Sequence, residues 1–548
     1  MENIALAFSG GGYRAAAYSL GCLSYLNKIL YKGQPLLLNV TYISSTSGGS
    51  IANLLYSSYV FQGKSFDDFF AYLNEKLEGD ALLNDALKKL TDADQWKNRK
   101  DKNKNIINAF SLVYDELLDH KDFSLFSDRS KNPHLEEICV NATEFTNGLP
   151  FRFQSQHPEG KFSRGKIGNR YINFKQDGIA HALKIKLSDI LASSSCFPSG
   201  FEPLIFPDDF ANENVSKEAL VNSISISENK YTLDTYNNSD FLKNATFEEA
   251  KQFGIMDGGI ADNQAIDAFI RADDRRKDNR VPTFDLFISC DVASYLMDGY
   301  TLPVRKQKWY DVLTINHVVM VSFLLGCYLP LLFLLQPQEW KPWQYITGTL
   351  SGVFTLLWLV LIAKKLLNTA TKKTKTDSWS LVFGKHKNKF FSLSFGTLKY
   401  MLMSRAKSVF ILANDIYLKQ IRRMYYDKIF NSDRYKDRVI QNTIYDLSKV
   451  NFNGIDISTD PLHPTNSLIN VAEKARKMGT TLWFDKNHQA DKVKEAIIAT
   501  GQFTTCYNLL THINKKDAAA LSQEMKDLKA ALESDWNSFC EDPTFMIK

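Results

Sequence analysis

The chain has 548 residues, too many for one ordinary domain, and two or three folding units are expected. A hydrophobic fraction of 44% with 13% aromatic residues supplies a large packed core and excludes a disordered chain. The net charge of +5 is unevenly placed: residues 364–450 hold 19 Lys/Arg against 6 Asp and no Glu, a local balance of +13. That block points to an anionic partner for one region only, and phospholipid is favoured over nucleic acid, which is not expected as a partner. Seven scattered cysteines without CxxC spacing suit a reducing compartment and are neither a disulfide framework nor a zinc site.

In chain order, the apolar run 4–8 predicts a buried strand that ends at Ser9-Gly10-Gly11-Gly12, followed by a helix over about 13–30. A second strand over 36–44 runs into Ser45-Thr46-Ser47-Gly48-Gly49 and another helix through about Phe61. Strand–turn–helix twice in about 60 residues is the pattern of a parallel α/β sheet. Residues 65–130 read as a charged helical insertion; strands are expected near 135–145, 150–155, 168–174 and 284–291. A catalytic domain is therefore expected over 1–305.

Residues 312–338 and 342–363 contain no Asp, Glu, Lys or Arg. A bilayer core needs about 20 apolar residues per helix, so these segments predict a transmembrane hairpin over 312–363, with spans at about 314–335 and 343–363. Basic residues flank it on both sides, Arg305, Lys306 and Lys308 before and Lys364, Lys365 and Lys372 after, with Lys341 alone at the tip. The positive-inside bias places both termini in the cytoplasm, in agreement with an N-terminus that has no basic leader. The expectation is an integral protein of the cell inner membrane. Residues 364–450 read as a basic amphipathic juxtamembrane region, with packing of that basic face on the catalytic lobe as the alternative. Residues 451–548 read as a helical C-terminal region.

Three motifs carry chemistry. Ser9-Gly10-Gly11-Gly12-Tyr13-Arg14-Ala15 lies between strand and helix, where glycines aim backbone amides at one spot beside a positive helix N-terminus. Such a loop binds an oxyanion or a phosphate. Gly10, Gly12 and Ala15 also fit the dinucleotide pattern, but that site wants an acidic residue about 20 positions on, and none occurs between Asn3 and Phe66. Ser47 sits between small residues at a strand end, as a nucleophile elbow requires. Asp257, in Gly254-Ile255-Met256-Asp257-Gly258-Gly259 ahead of Asp262-Asn263, is placed to be its base.

Together these motifs resemble the patatin-like phospholipases, of the bacterial type and with similarity to the cytosolic phospholipase A2 branch, over about residues 4–293. Ala192-Ser193-Ser194-Ser195-Cys196-Phe197-Pro198 is similar to that family's Ala-Ser-rich segment, and Gly479-Thr480-Thr481-Leu482-Trp483 with Thr504-Thr505-Cys506-Tyr507-Asn508 looks like the tail of its long bacterial members. The resemblance implies a parallel-sheet hydrolase lobe with helices on both faces, Ser47 as nucleophile, Asp257 completing a Ser-Asp dyad, and the Gly10, Gly11 and Gly12 amides as oxyanion hole. It implies that Arg14 holds lipid phosphate, with a structural ion pair as the alternative. Ser45 departs from the family's glycine. The implied activity is hydrolysis of phospholipid or other lipid esters through an acyl-enzyme, with no metal or cofactor required. A catalytically silent membrane sensor or scaffold is the alternative, and an α/β-hydrolase triad is disfavoured because no histidine follows Asp257 at the customary place.

Overall fold

The computed structural model describes the chain except residues 98, 146–147, 156–166, 199, 227–251, 295–300, 302–307, 336–341, 344, 354–357, 359–388, 390–391, 453–455 and 548. It divides into two compact units, one of residues 1–296 with 417–548 and one of 297–416.

The first unit is built on β1 (Ile4–Phe8), α1 (Gly12–Lys28), β2 (Val40–Thr46) and α2 (Gly48–Gln62), the two strand–turn–helix units predicted from the apolar runs. The insertion follows as α3 (Phe66–Lys76), α4 (Ala81–Thr91) and α5 (Ile106–Leu117). Then come β3 (Glu137–Glu144), β4 (Leu149–Gln154), α6 (Leu187–Ser195), β5 (Leu204–Phe206), β6 (Phe253–Asp257), α7 (Ile266–Asp278) and β7 (Leu286–Asp291). The eight-stranded sheet has the order β8-β7-β1-β2-β3-β6-β5, with β4 paired to β3, where β8 is Val439–Thr443. β8, β7, β1, β2 and β3 run parallel, whereas β6, β5 and β4 are antiparallel additions to that edge. The sheet is thus mixed and parallel-rich.

Both faces are covered, as side-chain alternation requires. Ile4, Leu6 and Phe8 face a core shared with α1 and α2, while Ala5 and Ala7 face α7. The residues after 417 complete the same unit: α10 (Leu418–Phe430), numbered after two helices of the second unit given below, then β8, α11 (Asn466–Lys477), α12 (Val493–Asn514) and α13 (Gln523–Glu541). α12 crosses α1 at Gly21 and Gly501, where a Cβ on either would fall 2.1 Å from the Ile498 carbonyl oxygen or 2.4 Å from that of Tyr18. Backbones meet directly there, so the C-terminal helices are one wall of the sheet's core. Residues 417–548 thus join 1–296 in one unit, where β8 extends the sheet and the helices expected over 451–548 include α12, packed on α1.

In the second unit, α8 (Ile315–Leu335) carries no charged residue, and α9 (Phe395–Ile411) starts at a Ser394 cap that accepts the Thr397 amide. Over the described residues, no helix is long and apolar enough to cross a membrane. The expected hairpin is therefore not supported as a pair of spans; its tip at 336–341 and most of its second arm lie outside the described residues. What the described part of the unit does show is exposed apolar surface: Phe323, Leu324 and Leu334 on α8, and Leu402, Val409 and Phe410 on α9.

Candidate active site

The site forms where β1, β2 and β6 end at one level of the sheet, with β3 between β2 and β6. Phe8 pairs with Ser45, Thr46 with Asn141, and Asp257 with Ala142, so the residues after Phe8 and Thr46 emerge beside Asp257. Ser47 stands between β2 and α2 with φ 50° and ψ −124°, a left-handed backbone that an L-residue adopts only at a cost. Gly48 and Gly49 follow because nothing larger fits: a Cβ on Gly48 would lie 2.0 Å from the Gly12 carbonyl oxygen, and one on Gly49 2.7 Å from that of Ser9. The serine turn and the glycine loop are thus pressed together.

The Ser47 side chain is near enough to the Asp257 carboxylate to lower its pKa. Asp257 is buried, and burial pushes its pKa up to about 7; the Gly259 amide, donating to Oδ1 at 2.6 Å, and Ser47 hold it down in part. A base with that pKa is matched to neutral solution. Among the described residues no histidine bonds to either group. His134 is buried between Tyr56 and the Val40 carbonyl, and burial depresses its pKa to about 4.

The glycine loop is only partly free to bind an anion. Gly10 N–H donates to the Asn263 carbonyl at 2.9 Å, and Tyr13 N–H to the Thr481 carbonyl at 2.9 Å. Gly11 and Gly12, with φ of 145° and 60°, are left as the loop's available donors at the N-terminus of α1. Gly10 therefore belongs to the loop's anchoring rather than to its donors, which narrows the expected trio. Arg14 is buried and donates Nη1 to the carbonyls of Arg476 (3.2 Å) and Met478, at the end of α11. It is withdrawn from the surface where a lipid phosphate would bind, and among the described residues it makes no ion pair, the alternative reading, because its position in the first turn of α1 faces the C-terminal helices.

Three contributors lie in segments quoted above, without a role assigned to them from sequence. Ser194 accepts the Ser47 amide at 2.9 Å and donates to the Asn141 carbonyl at 2.7 Å. Its proton being committed, Ser50 donates to Ser194 and Ser45 to Ser50, each at 3.0 Å, with Asn53 Nδ2 donating to Ser45 at 2.8 Å. Ser45, the departure from the family pattern, is thus a link in a hydroxyl chain that ends on the nucleophile's own amide. The backbone of the same Ala-Ser segment holds the Asp257 turn, accepting Asp257 N–H at Cys196 (3.1 Å) and Gly258 N–H at Ser194 (3.3 Å). Thr481 backs the glycine loop: a Cβ on Gly12 would lie 2.3 Å from its carbonyl oxygen. Asp262 ties the turns together from behind, its carbonyl accepting Thr46 Oγ1 (2.8 Å) and its carboxylate the Ile266 amide (2.9 Å) and Asn141 Nδ2 (3.3 Å).

Residues 6–270 match the family model for patatin-like phospholipase. No curated protein matches the chain. Among solved structures, human GIVD cytosolic phospholipase A2 is similar at 14% identity and a TM-score of 0.33, covering 53% of this chain and 45% of its own. VipD from Legionella pneumophila is similar at 12% identity and a TM-score of 0.22, over 98% of this chain and 91% of its own. The chain spans less than half the length of the human enzyme's structure.

Proposed function

From a patatin-like phospholipase domain over residues 6–270, we propose that this chain is a lipid acyl hydrolase working through a Ser47–Asp257 dyad. The observation that carries the reading is the strained Ser47 turn, beside a buried Asp257 whose pKa is raised to about 7. Asp257 takes the Ser47 proton as Oγ attacks the ester carbonyl. The carbonyl electron pair moves onto oxygen, where the Gly11 and Gly12 amides stabilise it. The bond to the leaving alcohol then breaks, the proton passing from Asp257 to the departing oxygen. Water then attacks the acyl carbonyl as Asp257 takes its proton, and the Ser47–acyl bond breaks as that proton passes from Asp257 to Ser47 Oγ.

Lipid ester is the substrate class that suits this site. The exposed apolar side chains of α8 and α9 support a working position at a membrane, where they would leave water for lipid. Anchoring by a hairpin, with both termini on the cytoplasmic side, is the arrangement that the uncharged segments and their basic flanks favour.

A fluorophosphonate probe tests the reading. It should label the wild-type chain and leave Ser47→Ala unlabelled; a folded wild type that takes no label would make the chain a silent lobe rather than an enzyme.

A further inference from the structure

Between the nucleophile's strand β2 and the aspartate's strand β6 lies β3, and one residue of β3 bonds to both sides. Asn141 pairs with Thr46, the residue before Ser47, and its neighbour Ala142 pairs with Asp257. The Asn141 side chain is buried and donates Nδ2 to Thr46 Oγ1 and to Asp262 Oδ2, each at 3.3 Å. Thr46 in turn donates its hydroxyl proton to the Asp262 carbonyl at 2.8 Å. That proton being committed, Thr46 Oγ1 can only accept, as an ionised carboxylate does, and an amide nitrogen with two protons joins the pair. Asn141 Oδ1 accepts from the Cys139 thiol at 3.7 Å.

The backbone of Asn141 meets the same two turns. Its carbonyl accepts the Ser194 hydroxyl at 2.7 Å, and Ser194 Oγ accepts the Ser47 amide at 2.9 Å. A Cβ on Gly258 would lie 2.4 Å from the Asn141 carbonyl oxygen and 2.9 Å from Asn141 Cβ, so the aspartate turn is seated directly on this residue. Ser47 is thus reached from Asn141 through Thr46 and through Ser194. Asp257 is reached through Gly258 and through the turn that ends in Asp262.

We propose that Asn141 is a positioning residue, fixing the separation of Ser47 and Asp257 through its bonds to Thr46 and Asp262. Its effect is on geometry: proton transfer from serine to aspartate needs the two groups within hydrogen-bond reach, and a misplacement of about 1 Å costs on the order of 10²-fold in rate. The proposal rests on the acyl-hydrolase reading above.

The test uses the full-length chain and a p-nitrophenyl ester, with kcat expressed per folded chain and the folded fraction read from denaturant unfolding at the assay temperature. Wild-type turnover that Ser47→Ala abolishes is the entry condition; its absence would overturn the underlying reading and this proposal with it. Asn141→Ala should lower the melting temperature and also lower kcat per folded chain by about tenfold or more. A purely structural role would lower the melting temperature alone, so a smaller loss of kcat per folded chain overturns the proposal. Thr46→Val keeps the shape of the side chain and removes the hydroxyl, and it should lose kcat in the same way. Thr46→Ser restores the hydroxyl and should be faster than Thr46→Val by about fivefold or more; a smaller difference overturns the proposal, because the hydroxyl link would then not act. If Asn141→Ala does not fold, the two Thr46 variants decide.

Discussion

A carboxylate that must take a proton from serine near neutral pH works best when its own pKa lies near that pH. Burial of Asp257 achieves this, moving it from the ordinary value of 3.8 to about 7. Below pH 7 the group is protonated and cannot act as base, so kcat/KM should rise with pH through a limb near 7. The same shift bears on stability with a definite sign. A carboxyl whose folded pKa is raised contributes stability that is complete at low pH and is lost as pH rises through about 7. Asp257→Asn removes the buried charge while keeping an acceptor for the Gly259 amide. It should abolish turnover, and its melting temperature relative to wild type should be higher at pH 8 than at pH 5. The difference is a few kcal/mol at most, since one pKa unit is about 1.4 kcal/mol. An equal gap at both pH values would refute the assignment of a raised pKa to this residue. Gly10, Ser47 and Asp257 were legible as residues because each sits in a short motif at a strand end. Ser194, Thr481 and Asn263 were not legible as partners, since hydrogen bonds across gaps such as 47 to 194 leave no spacing to read.

Among the elements, the turns depend on neighbours far away in sequence. The Ser47 amide is held by α6, through Ser194, at the end of a directional hydroxyl chain from Asn53. Ser194→Ala would leave that part-buried amide without its acceptor, a cost of about 1 kcal/mol. The expected outcome is a lower melting temperature together with slower fluorophosphonate labelling of Ser47; unchanged labelling would show that the chain of hydroxyls does not position the nucleophile. The contact of α1 with α12 is a backbone crossing that admits only glycine. Gly501→Ala should therefore destabilise the catalytic unit, by about 1–3 kcal/mol or more, measured by denaturant unfolding. No loss would mean that the two helices separate without consequence. From sequence, residues 451–548 read as helical, but what α12 packs against is not legible there.

Across the whole molecule, four of the 19 basic residues of the block pair with acids of the sheet and of α7. Arg422 pairs with Asp291 at 2.8 Å, Lys428 with Asp267 at 3.2 Å, Arg434 with Asp273 and Asp274, and Arg438 with Asp273 at 3.5 Å. The positive balance of 364–450 is thus partly an internal matching of α10 and the segment before β8 to the acids of α7 and β7. Exposed Lys399 and Arg405 on α9 stand beside apolar Leu402 and Val409 instead. If the chain binds anionic membranes, Lys399→Gln with Arg405→Gln should weaken co-flotation with phosphatidylserine vesicles more than Lys428→Gln with Arg434→Gln, which should chiefly lower the melting temperature. Only charges within a Debye length of about 8 Å of the lipid count. The reverse order of effects would place the lipid contact on α10 and the segment after it.

Local pattern was enough, on its own, for the α/β class, the early strand–turn–helix units and the three chemical motifs. Each of these is written in runs of a few residues, where apolar periodicity and glycine at a strand end have one common structural meaning. Tertiary structure alone decided the antiparallel edge of the sheet, the addition of β8, the burial of Arg14 under α11 and the closing of α12 over α1. The physical reason is that strand pairing, close backbone crossings and charge matching join segments far apart in sequence, such as Gly21 with Gly501 and Asp291 with Arg422. Their energy depends on a partner's position, which no single stretch of sequence contains.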